Sequence, residues 1–172
     1  MKLTFAPLIL LITASAWAAG PAPLTDAQIA HIAYTAGQID IDAARLALEK
    51  ASTPQVREFA QTMLRDHEAV NQQALALVAR LKVTPQDNPT SQALSEAAEK
   101  ARESQRTLTG TEFDRAYIAG EASYHQQVNE ALRTLLIPGA QNAELKTLLQ
   151  DGLALFSEHQ KHAEALATSK AP

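Results

Sequence analysis

From Thr25 onward apolar residues recur every three to four positions, and prolines cut the pattern into blocks of helical length. The first stripe is Ile29, Ile32, Ala33, Ala36, Ala43 and Ala47. A second runs through Val56, Phe59, Ala60, Met63, Val70, Ala74, Leu77 and Leu81. Phe113, Tyr117, Tyr124, Val128, Leu132 and Leu135 form the third. The fourth is Leu145, Leu148, Leu149, Leu155, Phe156, Ala163 and Leu166. Local signals set the ends. Thr25 is a cap for a helix reaching about Ala51, and Thr53 followed by Pro54 opens a second that reaches about Lys82. A polar linker, Val83 to Pro89, leads to a short, weakly amphipathic helix from about Ser91 to Thr107, ended by Thr109-Gly110-Thr111. Long helices follow over about Glu112–Leu136 and Gln141–Ala167, with Ile137-Pro138-Gly139 as the turn between them. Each long helix would be roughly 35–45 Å at 1.5 Å per residue, and four amphipathic helices of matched length predict an all-α four-helix bundle. The short helix is a connector.

Composition narrows the picture. A chain of 172 residues with 46% hydrophobic and 20% charged residues suits one folded domain. With no cysteine, a disulfide scaffold, a thiolate metal site and a cysteine nucleophile are excluded. The net charge of −4 argues against a general nucleic-acid partner, which needs a basic face.

Residues 1–18 are expected to be a signal peptide: Lys2 is the basic start, Leu8 to Ile12 the apolar centre and Ala16-Trp17-Ala18 the cleavage site. The apolar run falls short of the roughly 20 residues that cross a bilayer, and no second span follows; an uncleaved anchor is the alternative. Residues 19–24 and 168–172 are expected to be flexible ends around a bundle domain at 25–167, exported to the periplasm or beyond the cell.

The informative residues interrupt the stripes. At 100° per residue, Asp40 falls mid-face on the first helix and His67 on the second. Glu121 lies near the centre of the third stripe with His125 one turn later, and His159 is central on the fourth. If the connector returns the chain to the end where the second helix began, these five lie roughly 10–22 Å from one end of the bundle. A carboxylate–imidazole cluster in a bundle core is how such folds bind iron, zinc, copper or manganese. Equally, buried His–carboxylate pairs serve only to fix helix register. No Glu-x-x-His spacing is present, as a di-iron centre would require. His162 and His31 sit at stripe edges and read as surface; Asp66 beside His67 either caps a network or pairs with Arg65. Glu112 and Asp114 read as first-turn acids that favour the helix dipole.

Taken in order, several stretches resemble an exported bacterial family, the domain of unknown function 4142. They are Leu46-Ala47-Leu48-Glu49-Lys50-Ala51-Ser52, Val56-Arg57-Glu58-Phe59-Ala60-Gln61-Thr62-Met63 with Asp66-His67, and Phe113-Asp114-Arg115-Ala116-Tyr117. His125, Asn142-Ala143-Glu144-Leu145-Lys146 and His159 complete the set, which spans about Asp26 to Leu166. Asp40 departs from the Glu usual in the family, and Ala154 from a frequent Pro. The resemblance implies a ferritin-like bundle with a crossover connection and brings no established activity.

Two readings follow. One is a non-enzymatic bundle that binds a metal through Asp40, His67, Glu121, His125 and His159. The other is a stress-related or envelope-interaction module, docking an envelope protein partner, whose inward polar residues are only structural. A ferritin-like oxidase is a distant third.

Overall fold

A computed structural model describes residues 23–169, so the expected signal peptide and the last three residues lie outside it. Six helical elements follow in order: α1 Asp26–Lys50, α2 Pro54–Leu81, α3 Pro89–Arg106, α4 Gly110–Ala131, a one-turn α5 Ile137–Gly139 and α6 Ala143–Thr168. Thr25 closes a capping box with Gln28 at the head of α1, and Pro54 opens α2. Asn88 caps α3 by accepting from the backbone N–H groups of Thr90 and Ser91. That cap starts α3 two residues before the predicted Ser91.

α1 and α2 pair as one hairpin and α4 and α6 as another; α2 lies against α6 and α1 against α4. Two aspartates fix the directions. The Asp114 carboxylate accepts from Ser52 N (3.0 Å), Ser52 Oγ (2.7 Å) and Thr53 N (3.0 Å), which places the start of α4 at the α1–α2 turn. The Asp26 carboxylate accepts from Gln141 N (2.8 Å) and Asn142 N (2.9 Å), which places the start of α6 at the start of α1. α4 therefore runs parallel to α2, and α3 is the crossover between them, lying along α1 with only Ser91 buried.

Three local expectations change. Thr53 makes no side-chain cap; buried Asp114 does that work from α4, so its role is to anchor a turn and not merely to complement a dipole. Gly110, at φ 58°, marks the break in the left-handed conformation that glycine tolerates, but helix resumes at once. Pro138 does not end α4. The helix widens into a π turn over Leu132–Leu136 and continues through α5, so the chain reverses at Ala140–Asn142 instead. A proline lacks the N–H and crowds the carbonyl four residues back, and the wider turn just before it absorbs both defects. α6 accordingly starts at Ala143, with Asn142 accepting from Glu144 N and Leu145 N, and it runs through Thr168.

The apolar core comes in two parts. Near the α1–α2 turn, Ala44, Ala47, Phe59, Met63, Phe113 and Tyr117 pack together with Ala163. Toward the other end, Ile29, Ile32, Leu77, Leu132, Leu149 and Phe156 form a second cluster. On every long helix a buried polar residue separates the two: Asp40, His67 with Asn71, Glu121 with His125 and Asn129, and His159. Asn71 fits only because residue 37 is glycine, since a Cβ there would come within 2.9 Å of the Asn71 Cγ and closer still to its Oδ1. Among the described residues no helix is long and apolar enough to cross a membrane.

The anchoring aspartates are expected to differ in weight. Removing a charged acceptor from buried or half-buried donors costs about 1.5–3 kcal/mol. Asp114→Ala should lower the urea midpoint more than Asp26→Ala, whose partner Gln141 is exposed. Equal midpoints for the two variants would contradict this ranking.

Candidate metal centre

All five residues that interrupt the stripes meet in the polar layer, and each is at most 4% exposed. Position on the helix decides this. Asp40 lies a turn past Ala36 on α1, His67 a turn past Met63 on α2, and Glu121 and His125 on successive turns of α4; His159 follows Phe156 on α6. The parallel course of α2 and α4 brings them level.

The three imidazoles form a nearly equilateral triangle. Ring centroids are 5.5 Å apart for His67–His125, 5.3 Å for His67–His159 and 5.4 Å for His125–His159. One ligand atom from each lies within 4.8 Å of the other two, and Asp40, Glu121 and His125 form a second trio of the same tightness. His125 belongs to both. Phe156 stacks on His67 at 4.6 Å and closes the triangle on the side of the second apolar cluster.

Each ring presents a free nitrogen. His125 Nδ1 lies 3.0 Å from the Glu121 carbonyl oxygen, which can only accept, so Nδ1 carries the proton and Nε2 keeps its lone pair. His159 Nε2 lies 3.0 Å from Asp66 Oδ2 and donates to that carboxylate, which frees Nδ1. His125 Nε2, His159 Nδ1 and both nitrogens of His67 are buried without a hydrogen-bond partner. The nearest carboxylate oxygen to His67 Nε2 is Asp40 Oδ2 at 3.6 Å.

Electrostatics keep these rings neutral. Burial lowers His125 to about 4, against the bond to the Glu121 carbonyl that works to raise it. His67 falls well below the ordinary imidazole value because it is buried, and the neighbouring His125 and His159 push it further down. Burial also lowers His159, with Asp66 pulling the other way. Asp66 itself stays below the carboxylate norm: burial opposes this, but bonds from Arg65 and His159 win. The carboxyls move upward. Burial, then the facing Glu121, raises Asp40 well above its usual value, and burial raises Glu121 to about 7. The layer therefore holds neutral imidazoles and proton-holding carboxyls, which is how charge is kept out of a low-dielectric interior.

Asp66 satisfies both of its expected roles at once, pairing with Arg65 (2.7 Å) and orienting His159. His162 is exposed and packs edge-on to Phe59, and His31 lies 3.9 Å from Asp87 at the surface; neither joins the layer. Sequence reasoning missed Asn71 and Asn129. Asn129 Nδ2 donates to the Phe156 carbonyl (3.2 Å) and Gln160 Oε1 (2.9 Å), which ties α4 to α6 beside the triangle. Both asparagines recur one turn after an inward histidine, the spacing that could have shown them.

These shifts set opposite pH limbs. As pH falls from about 6.5 toward 4, the unfolded chain protonates His125 before the folded one, so stability is lost. As pH rises from about 4.5 to 7, the unfolded chain gives up the Glu121 proton first, and stability is lost again. The two windows overlap and their trends oppose, so Glu121→Gln should make the urea midpoint of chelator-treated protein climb more steeply with pH between about 4.5 and 7 than in the wild type. An unchanged slope in the variant would show that Glu121 is ionised in the folded state.

Comparison with known proteins agrees with this architecture. The solved copper(II)-bound form of CopM superposes with a TM-score of 0.66 at 20% identity, over 86% of this chain and 100% of that one. Its silver-bound form gives 0.64 over 87% and 99%, and its apo form 0.64 over 87% and 100%, both again at 20% identity. At that identity the likeness concerns the fold. No curated protein matches. The family model for the domain of unknown function DUF4142 matches residues 12–166, and the chain belongs to that family.

Proposed function

We propose that the polar layer binds a transition-metal ion of the copper class through His67, His125 and His159, with Asp40 and Glu121 as oxygen donors beside them. The observation that carries this reading is the set of buried, unpartnered imidazole nitrogens facing one another in a triangle. A network that served only to fix helix register would pair those nitrogens with donors, since each orphaned buried polar group costs about 1–3 kcal/mol. Here three neutral rings hold lone pairs toward a common point, and a cation is the partner that satisfies all of them. Imidazole suits copper and zinc, and affinity rises toward copper along the divalent series. That the superposing CopM was solved with copper(II) and with silver supports the same choice. The Asp66–His159 and Glu121 carbonyl–His125 bonds are what orient metal-bound imidazoles in such centres.

We read the protein as a metal-binding module and not an oxidase. Di-iron centres take a carboxylate from each helix and two Glu-x-x-His pairs, whereas imidazoles dominate here. We further propose that residues 1–18 direct export and that the bundle at 25–167 works in the periplasm.

The test uses tag-free mature protein stripped with a chelator. Copper should bind at one ion per chain, and at a hundredfold excess over Kd it should stabilise the fold by about 2.7 kcal/mol, read as a rise in Tm. Asp66→Asn, which leaves the three rings in place but unhooks His159, should weaken binding about 10–100-fold. Should Fe, Zn, Cu and Mn all fail to bind or to raise Tm, the structural reading of the layer would stand instead.

A further inference from the structure

A pocket of about 300 Å³ opens between α1, α3 and α4, and its lining includes Asp40 and Glu121 but no histidine. The α3 wall is largely alanine, with Ala97, Ala98 and Ala101, and the exposed Ala101, Ser123 and Gln127 border the mouth. Asp40 Oδ1 and Glu121 Oε2 are buried without hydrogen-bond partners at the edge of this space. On the far side of the carboxyls stands His125, the residue common to both ligand trios. Its Nδ1 is committed to the Glu121 carbonyl, which leaves Nε2 as its one donor lone pair. The Glu121 carboxylate approaches His125 from its Nδ1 side, Oε2 lying 3.5 Å from Nδ1, and two cations flanking one imidazole repel each other, so the two trios are successive positions for one ion and not two sites filled together.

We propose that the cation enters through the α1–α3–α4 pocket, is held first by Asp40 and Glu121, and passes by way of His125 to the histidine triangle. This rests on the metal-binding reading above. It makes α3, which contributes little to the apolar core, the cover of the entry route. Arg102 sits in the pocket wall and ties α3 to α1 through Asp42 (3.4 Å), with Glu99 on its other side. Its guanidinium is a positive charge on the path of a cation, so it both latches the cover and opposes entry.

The test is stopped-flow uptake of copper(II) from a coloured chelator by the tag-free mature protein, with release followed in the reverse direction. Ala101→Trp plugs the mouth without touching a ligand. It should slow uptake and release alike by about tenfold or more, leaving Kd and Tm unchanged, because one route serves both directions. Ala98→Leu should slow both to a smaller extent. Arg102→Ala should speed uptake about threefold at low salt, an effect that fades as ionic strength rises. Wild-type rates in a folded Ala101→Trp variant, or slowed uptake with unchanged release, would overturn the route while leaving the metal site intact. Faster uptake by Ala101→Trp would show that α3 had been displaced, and Ala98→Leu together with Arg102→Ala would then decide. If the wild-type protein takes up no copper, the route falls together with the reading on which it rests.

Discussion

Ionisable groups cannot be buried in a helical bundle unless something answers them, and this fold buries five at one level. Charges in such a place are so costly that protons redistribute first: the imidazoles give theirs up and the carboxyls keep theirs. The resulting layer divides the apolar interior into two clusters that do not merge. Each cluster is an ordinary bundle core of aliphatic and aromatic side chains. The layer between them packs ring against ring, but its orphaned nitrogens subtract from stability. A fold that carries this burden needs its framework fixed elsewhere.

The framework is fixed at the ends and beside the layer. Asp114 holds the α1–α2 turn and Asp26 the start of α6, each by multiple bonds from one carboxylate to backbone donors. Asn71 and Asn129 hold α2 to α1 and α4 to α6 through backbone carbonyls at the level just beyond the histidines. Gly37 lets α1 approach Asn71 more closely than any side chain would allow. These contacts act on helix position more than on hydrophobic burial, so the imidazole triangle is set by rigid elements and not by loops. A triangle closed to within 4.8 Å by three separate helices needs that rigidity.

The long helices were legible because their stripes follow a 3.6-residue period over five or more turns, and the crossover followed once the connector's length was taken as a return. The polar interruptions were legible for the same reason: a histidine centred on an apolar stripe is visible as a break in periodicity. Less was readable where a residue acts across the bundle. Asp114 looks like a first-turn acid until the fold shows it bonded to Ser52, 62 positions away in the chain. Pro138 looks like a helix stop, and only the π turn preceding it explains why the helix continues. Which nitrogen of each histidine is free could not be read from spacing at all. It depends on a carbonyl one turn back for His125 and on a carboxylate of a different helix for His159.

Proton occupancy also bears on which ion the proposed site would favour. An ion that prefers oxygen must first displace protons that Asp40 and Glu121 hold more tightly than ordinary carboxyls do, and so it competes poorly below neutral pH. An ion that prefers imidazole meets lone pairs already free, because burial has removed those protons in advance. The same desolvation that destabilises the metal-free layer thus separates nitrogen-seeking from oxygen-seeking cations. With no cysteine in the chain, that discrimination cannot come from a thiolate. It comes from where the protons reside, and that is decided by how deeply the five side chains are buried.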